Sequence, residues 1–124
     1  MTRWLGRFSE VAYVLLRVVA GLLFAQHGVQ KLFGVLGGQA VPLVSLLGLA
    51  GVIELVAGVL IALGVWTGWM ALLASGEMAV AYFRSHAGQG FWPIQNRGEL
   101  AALYSFLFLY IACRGGGKWR VTRG

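Results

Sequence analysis

Residues 44–87 read VSLLGLAGVIELVAGVLIALGVWTGWMALLASGEMAVAYFRSHA and decide the fold. Glu54, Glu77 and Arg84 are the acidic and basic side chains in two otherwise apolar runs. A membrane-spanning helix needs about 20 mostly apolar residues. The Thr67-Gly68 pair is a short break between the runs, so the sequence predicts an antiparallel hairpin of two spans at 44–66 and 69–87.

The composition of the whole chain also indicates that the protein lies in a lipid bilayer. Hydrophobic residues make up 59% of the 124 positions and charged residues 11%, against about 25% charged in an ordinary soluble domain. A small soluble domain has too little interior for so many apolar side chains, and disordered chains are poor in them. The formal net charge of +6 lies mainly in the two tails, which indicates lipid head groups rather than nucleic acid as the partner.

Two further apolar runs, at 11–33 and 98–113, complete the predicted architecture. We expect an all-α protein, one membrane domain over 1–124, built as a bundle of four transmembrane helices. Basic tails and an even number of spans predict that both termini are cytoplasmic. Small residues at helical spacing in the second span should form a packing seam between helices; they are Gly48, Gly51, Gly58 and Ala62 beside Leu55. The glycine triplet at 115–117 is expected to be a flexible exit into a basic tail.

Several charged residues lie inside the predicted spans. Each costs about 2.5–3.5 kcal/mol near the bilayer centre, so such residues should face the bundle interior and pair. We expect intramembrane ion pairs of Arg17 with Glu54 or Glu77, and of Glu77 with Arg84 or a residue of the first span. These pairs can be purely structural or can take part in chemistry, and the sequence leaves both open.

The predicted outer end of the bundle is rich in polar side chains. A candidate pocket for a ligand with carbonyl or anionic oxygens is formed by Gln30, Lys31, Arg84, Gln95 and Asn96. His27 and Glu77 are candidates for a proton relay. A metal site is not expected, because the chain has two histidines, one cysteine and no aspartate.

Three stretches resemble the DoxX family of small bacterial membrane proteins. They are LRVVAGLLFAQHGVQKLFG at 16–34, GVIELVAGVLIALG at 51–64 and GEMAVAYFRSHAGQGFWPIQNRGELA at 76–101. The resemblance implies a four-helix, multi-pass protein of the bacterial cytoplasmic membrane. It also implies a redox setting, because some relatives form the membrane part of a thiosulfate:quinone oxidoreductase and others belong to a membrane complex linked to thiol and radical stress.

Three functions follow as hypotheses. The first is a redox-associated membrane subunit that holds a quinone, with no covalent cofactor, and works with a soluble or membrane partner. The second is a small proton-coupled transporter, and the third is a non-catalytic scaffold whose basic tail docks a soluble partner. Standalone catalysis is not expected, and the substrate and a homo-oligomeric state are left open.

Overall fold

The computed structural model describes residues 2–35 and 37–122, and within these ranges the protein is all-helical. The helices are α1 (Thr2–Gly6), α2 (Ser9–Phe33), α3 (Leu46–Leu63), α4 (Thr67–Ser85), α5 (Pro93–Asn96) and α6 (Glu99–Arg114). A single 3-10 turn, Ala87–Gln89, follows α4. The long helices α2, α3, α4 and α6 lie within three residues of the four predicted segments.

Two of the described helices, α2 and α3, are long and apolar enough to cross a membrane by length and composition. Their mean hydropathies over the most apolar 18-residue windows are 1.5 and 2.5. Helix α4 has 19 residues and includes Glu77 and Arg84, and α6 has 16 residues. The all-helical class predicted from the sequence is therefore confirmed.

The turn between α3 and α4 lies earlier than predicted. Thr67 and Gly68 are inside α4, and the connection is formed by residues 64–66. Gly64 ends α3 in the left-handed conformation, at φ 76°, which glycine adopts without a side-chain clash. The prediction was wrong because Thr67-Gly68 was taken as the turn. Gly64 ends α3, and Val65 and Trp66 complete the connection to α4.

Helices α2 and α3 touch backbone to backbone. A Cβ on Gly58 would lie 2.6 Å from the Ala25 nitrogen and from the Gly21 oxygen. A Cβ on Gly28 would lie 2.4 Å from the Leu55 nitrogen. The predicted small-residue seam is thus confirmed for the middle of α3, and helices in lipid approach closely through such residues.

The second pair of helices, α4 and α6, packs beside the first. Ser75 donates to the Ser105 carbonyl at 2.7 Å, and the Ser105 hydroxyl donates back to the Ser75 carbonyl at 3.1 Å. Fully buried Phe24 of α2 joins the pairs by contacting the rings of Tyr104 and Phe108 of α6, at centroid distances of 5.6 and 4.8 Å. The core is therefore aromatic where the two pairs meet.

Residues 115–122, here called the C-terminal strap, fold back across one end of the bundle. The Tyr13 hydroxyl donates to the Gly115 carbonyl, and Glu10 accepts from the Lys118 backbone nitrogen at 2.6 Å. The Thr122 hydroxyl accepts from the backbone nitrogen of Trp66 at 2.7 Å. The expectation of a flexible exit at 115–117 was wrong, because these hydrogen bonds tie the strap to α2 and to the α3–α4 turn. They also place the start of α2 and the end of the described chain at the same end of the bundle.

The glycine contacts make a matched prediction about stability. We expect Gly28→Ala to destabilise the protein by about 1–3 kcal/mol, because the added methyl group meets backbone atoms that cannot rotate away. Gly76→Ala is the control, since a Cβ on Gly76 has no atom within 4 Å and alanine favours a helix by about 1 kcal/mol. Chemical unfolding in detergent measures both. Equal stability of the two variants would contradict the close approach of α2 and α3.

Candidate functional site

A cavity of about 1350 Å³ opens between α3 and α4. It is closed at the back by the C-terminal end of α2 and the N-terminal end of α6, through Phe24, His27 and Tyr104. Most of its wall is apolar, with side chains such as Ile53, Leu72 and Val80. The lining also contains acidic and basic residues of three helices, so polar chemistry is placed within an apolar enclosure.

Lys31 of α2 and Glu54 of α3 form an ion pair in this wall. The Lys31 Nζ donates to both Glu54 carboxylate oxygens, at 2.8 and 2.6 Å. Glu54 is fully buried, and the Lys31 side chain is 29% exposed. Lys31 was predicted at the membrane interface, but its long aliphatic stem lets the ammonium group reach inward. Glu54 is therefore paired, as expected of an intramembrane carboxylate, but with Lys31.

Glu77 of α4 lies against this pair. Its carboxyl group is close to that of Glu54, and Lys31 is near both carboxyl groups. Within the described part of the chain, the buried Glu77 Oε1 has no hydrogen-bond partner. The three side chains, here called the carboxyl cluster, thus combine one ammonium group with two carboxyl groups.

His27 and Tyr104 lie at the back of the cavity. Their rings meet edge to face at a centroid distance of 6.2 Å, and Tyr104 is also stacked on Phe108 at 5.4 Å. Both line the cavity with Glu77. Among the described contacts there is no direct hydrogen bond between His27 and Glu77, so the predicted relay between them needs an intervening water or ligand.

Arg17 does not pair with either carboxylate. It is 2% exposed and donates to the Gly116 carbonyl of the C-terminal strap and, at 3.2 Å, to the Ala62 carbonyl at the end of α3. The predicted ion pair of Arg17 with Glu54 or Glu77 is wrong. Depth counting along a helix cannot reveal that the strap returns and supplies carbonyl acceptors, which satisfy two of the guanidinium nitrogens.

Arg84 does not neutralise Glu77 either. In residues 4–35 and 37–122 the ion pairs are Lys31–Glu54 and Glu10–Arg114. Arg84 is exposed and lines the edge of the cavity with His86 and Arg97. Arg84 and Glu77 share a helix face, but seven residues of helix separate them by about 10 Å along the axis.

The remaining members of the predicted polar pocket lie outside the cavity lining. Asn96 is fully buried and organises the loop before α6. Its amide nitrogen donates to the Tyr82 hydroxyl and the Gly90 carbonyl, both at 3.0 Å, and its oxygen accepts from the Gly98 nitrogen at 2.8 Å. Gln95 is exposed in the same loop, and Gln30 packs against Gly38. Of the five predicted pocket residues, Lys31 and Arg84 line the cavity.

Sequence reasoning missed Tyr104 and Gly76 as cavity residues. Tyr104 could have been found, because Ala101, Tyr104 and Phe108 recur at helical spacing along the buried face of α6. Gly76 carries no such signal, since its position depends on how α4 is packed.

The comparisons with known proteins identify a family for the chain. The DoxX family model matches residues 12–87, which hold α2 from its second turn onward, α3 and α4. The chain belongs to the DoxX family. It is similar to a Haemophilus influenzae protein described as an uncharacterized protein, 42% identical over 120 residues, which cover 91% of this chain and 90% of the relative. No solved structure matches the chain.

Membership confirms the resemblance seen in the sequence and makes this a DoxX-family membrane protein. The matched residues contain the whole carboxyl cluster and Arg84, but they end before α6. The DoxX match therefore covers the acidic wall of the cavity, while Tyr104 and Arg97 lie beyond it.

A double-mutant cycle tests the ion pair of the carboxyl cluster. We expect Lys31→Met to destabilise the protein by about 3 kcal/mol, because it leaves a buried carboxylate without its cation. Adding Glu54→Gln should recover most of this loss, since the neutral amide has no charge to compensate. Thermal and chemical unfolding in detergent measure the four proteins. Additive effects of the two substitutions would show that the side chains are not coupled.

Proposed function

We propose that this DoxX-family protein crosses the bacterial cytoplasmic membrane four times, with both termini in the cytoplasm. Helices of 19 and 16 residues, as in α4 and α6, extend about 28 and 24 Å at 1.5 Å per residue, close to the hydrocarbon thickness of about 30 Å. Both helices carry exposed apolar side chains outside the cavity lining, such as Phe83 of α4 and Leu103 and Phe106 of α6. The strap brings the basic tail to the start of α2, which favours one cytoplasmic end.

Within that membrane, we propose that the protein is a redox-associated subunit that binds a quinone in the cavity. The observation that carries this proposal is the carboxyl cluster in the wall of a large apolar cavity. A partner subunit would provide electrons, drawn from thiosulfate or from a thiol, because the described residues hold no group of metal-ligand side chains. The protein would therefore supply binding and protons rather than redox centres.

The residues present fit a quinone by size and by polarity. Ligand pockets measure about 300–1,000 Å³, and this cavity of about 1350 Å³ leaves room for a ring and part of an isoprenoid chain. The wall is mostly apolar, while Lys31, His27 and Tyr104 place groups with N–H or O–H bonds around it. A bound quinone would accept two electrons and two protons.

Residues of the protein itself would donate and accept the protons that reduction of the quinone requires. Both Glu54 carboxylate oxygens accept from Lys31, while Glu77 has a buried oxygen without a partner among the described residues. Glu77 is therefore the group that can release and regain a proton. His27, which also lines the cavity, is the second candidate because an imidazole has one nitrogen that donates and one that accepts a hydrogen bond. The apolar walls exclude bulk water, which keeps these transfers within the cavity.

Filling the cavity tests quinone binding. Gly76 lines it, and a Cβ added at Gly76 would have no atom within 4 Å, so Gly76→Leu can occupy the cavity without disturbing the helix contacts. We expect quinone affinity to fall about tenfold, equal to about 1.4 kcal/mol. Leu103→Phe adds bulk on an exposed face outside the cavity lining and is the control. Equilibrium binding of a soluble quinone analogue to purified protein measures both. Unchanged affinity in Gly76→Leu, with the fold intact, would overturn the proposal.

A second function, proton-coupled transport of a lipophilic cation, gains support from one observation. A working carboxylate in such a transporter must be free to exchange its proton for the cation. Neither Arg17 nor Arg84 pairs with Glu77 among the described contacts, contrary to the expected neutralisation. Docking of a soluble partner through the basic tail is less favoured, because residues 115–122 already bind the bundle.

Glu77→Gln separates the two functions. In a quinone-linked subunit it should lower quinone-dependent oxidation of thiosulfate in membranes with the partner present, because the amide cannot exchange a proton. In a transporter it should abolish proton-coupled efflux of a lipophilic cation from vesicles. Glu99→Gln is the matched control, since Glu99 is exposed and lies outside the cavity lining. Loss of neither activity would exclude a proton role for Glu77.

A further inference from the structure

Three basic side chains gather at one edge of the cavity. Arg84 and His86 lie close together at the end of α4, and Arg97 precedes α6. Both arginines are exposed, and the ion pairs of the described chain involve neither. The His86 Nδ1 lies 3.0 Å from the Asn96 carbonyl, which fixes the imidazole beside them. We call these three residues the rim.

The backbone at Arg97 supports a role for the rim. Arg97 ends α5 in the left-handed conformation, at φ 61° and ψ 21°. Glycine or asparagine adopts this conformation at lower cost than arginine. The turn is needed because buried Asn96 and close-packed Gly98 fix the residues on each side. An arginine kept at a strained position is an indication of function.

An apolar wall extends from the rim into the membrane. On α4 the cavity lining extends from Trp69 to Arg84, which is about 22 Å along the helix axis. One leaflet of the hydrocarbon core is about 15 Å thick, half of a total of about 30 Å. The wall is therefore long enough for an acyl chain that starts at the rim, and it opens sideways between α3 and α4.

We propose that the rim binds the phosphate of an anionic phospholipid, with an acyl chain of that lipid along the apolar wall. Guanidinium groups bind phosphate oxygens through paired, charge-assisted hydrogen bonds. Two cations without a carboxylate partner favour a head group with net negative charge over a zwitterionic one. The apolar wall favours a lipid over free phosphate, because free phosphate has no acyl chain to bury against it.

The lipid site is separate from the proposed quinone site. Arg84 lies seven residues beyond Glu77 on α4, about 10 Å along the axis, and the carboxyl cluster is at the deeper level. The head group would contact the rim and the quinone ring would lie beside the carboxyl cluster, so the two proposals rest on different side chains. The rim also lies at the end of the bundle opposite the strap, so its arginines are away from the basic tails. A bound anionic head group explains two arginines on that side of the membrane.

Lipid binding to the purified full chain tests the site. Native mass spectrometry in mild detergent would compare phosphatidylglycerol with phosphatidylcholine of the same acyl chains, and with inorganic phosphate. We expect phosphatidylglycerol to bind about tenfold more tightly than phosphatidylcholine, and inorganic phosphate not to compete. Arg84→Gln with Arg97→Gln should remove this preference. Arg7→Gln with Arg120→Gln removes the same charge from exposed positions outside the cavity and should retain it.

Two further variants keep the test decisive. Arg97→Gly removes one charge and relieves the left-handed backbone, so it should be at least as stable as the native chain yet bind phosphatidylglycerol less tightly. Glu77→Gln should leave lipid binding unchanged while it lowers quinone-dependent oxidation, which separates this site from the proposed function. Equal binding of the two lipids, competition by inorganic phosphate, or equal loss in both double variants would overturn the proposal.

Discussion

The close contact of α2 with α3 positions the charged wall of the cavity. Gly28 lets the α2 backbone touch Leu55, and Lys31 follows three residues later, on the adjoining part of the same face. At that separation the ammonium group reaches Glu54 at 2.6 Å. A larger residue at Gly28 would move α2 outward and leave Glu54 buried without its cation. The charge pair therefore depends on the absence of a side chain one turn earlier.

A contact made by small residues also explains why the cavity lies where it does. Glycines join α2 to α3, and serine hydrogen bonds join α4 to α6, but α3 and α4 share a less extensive interface. The space between these two helices remains open above their connecting turn. Phe24, His27 and Tyr104 close the back of this space. Two tight pairs with a looser junction thus produce a cavity that is open on one side.

The sequence was sufficient for the helices but not for the partners of their charges. Apolar runs locate the four long helices because apolar length is a local property. The partner of Arg17 is a carbonyl 99 positions away, and no local pattern reveals that the strap returns. Lys31 was placed at the interface because its backbone is there, whereas its side chain extends inward. Asn96 was assigned to a pocket because it is polar. Its side chain is instead fully hydrogen-bonded to Tyr82, Gly90 and Gly98.

Basic and acidic groups lie at different depths of the cavity. The two arginines stay at the edge, where water or head groups solvate them, and the two carboxyl groups lie deeper with one lysine. Had Arg84 reached Glu77, both carboxyl groups would have a cation and no proton would be needed. With Lys31 alone, electrical neutrality in the low-dielectric interior requires one proton or one added cation. The proton exchange proposed for Glu77 rests on that requirement.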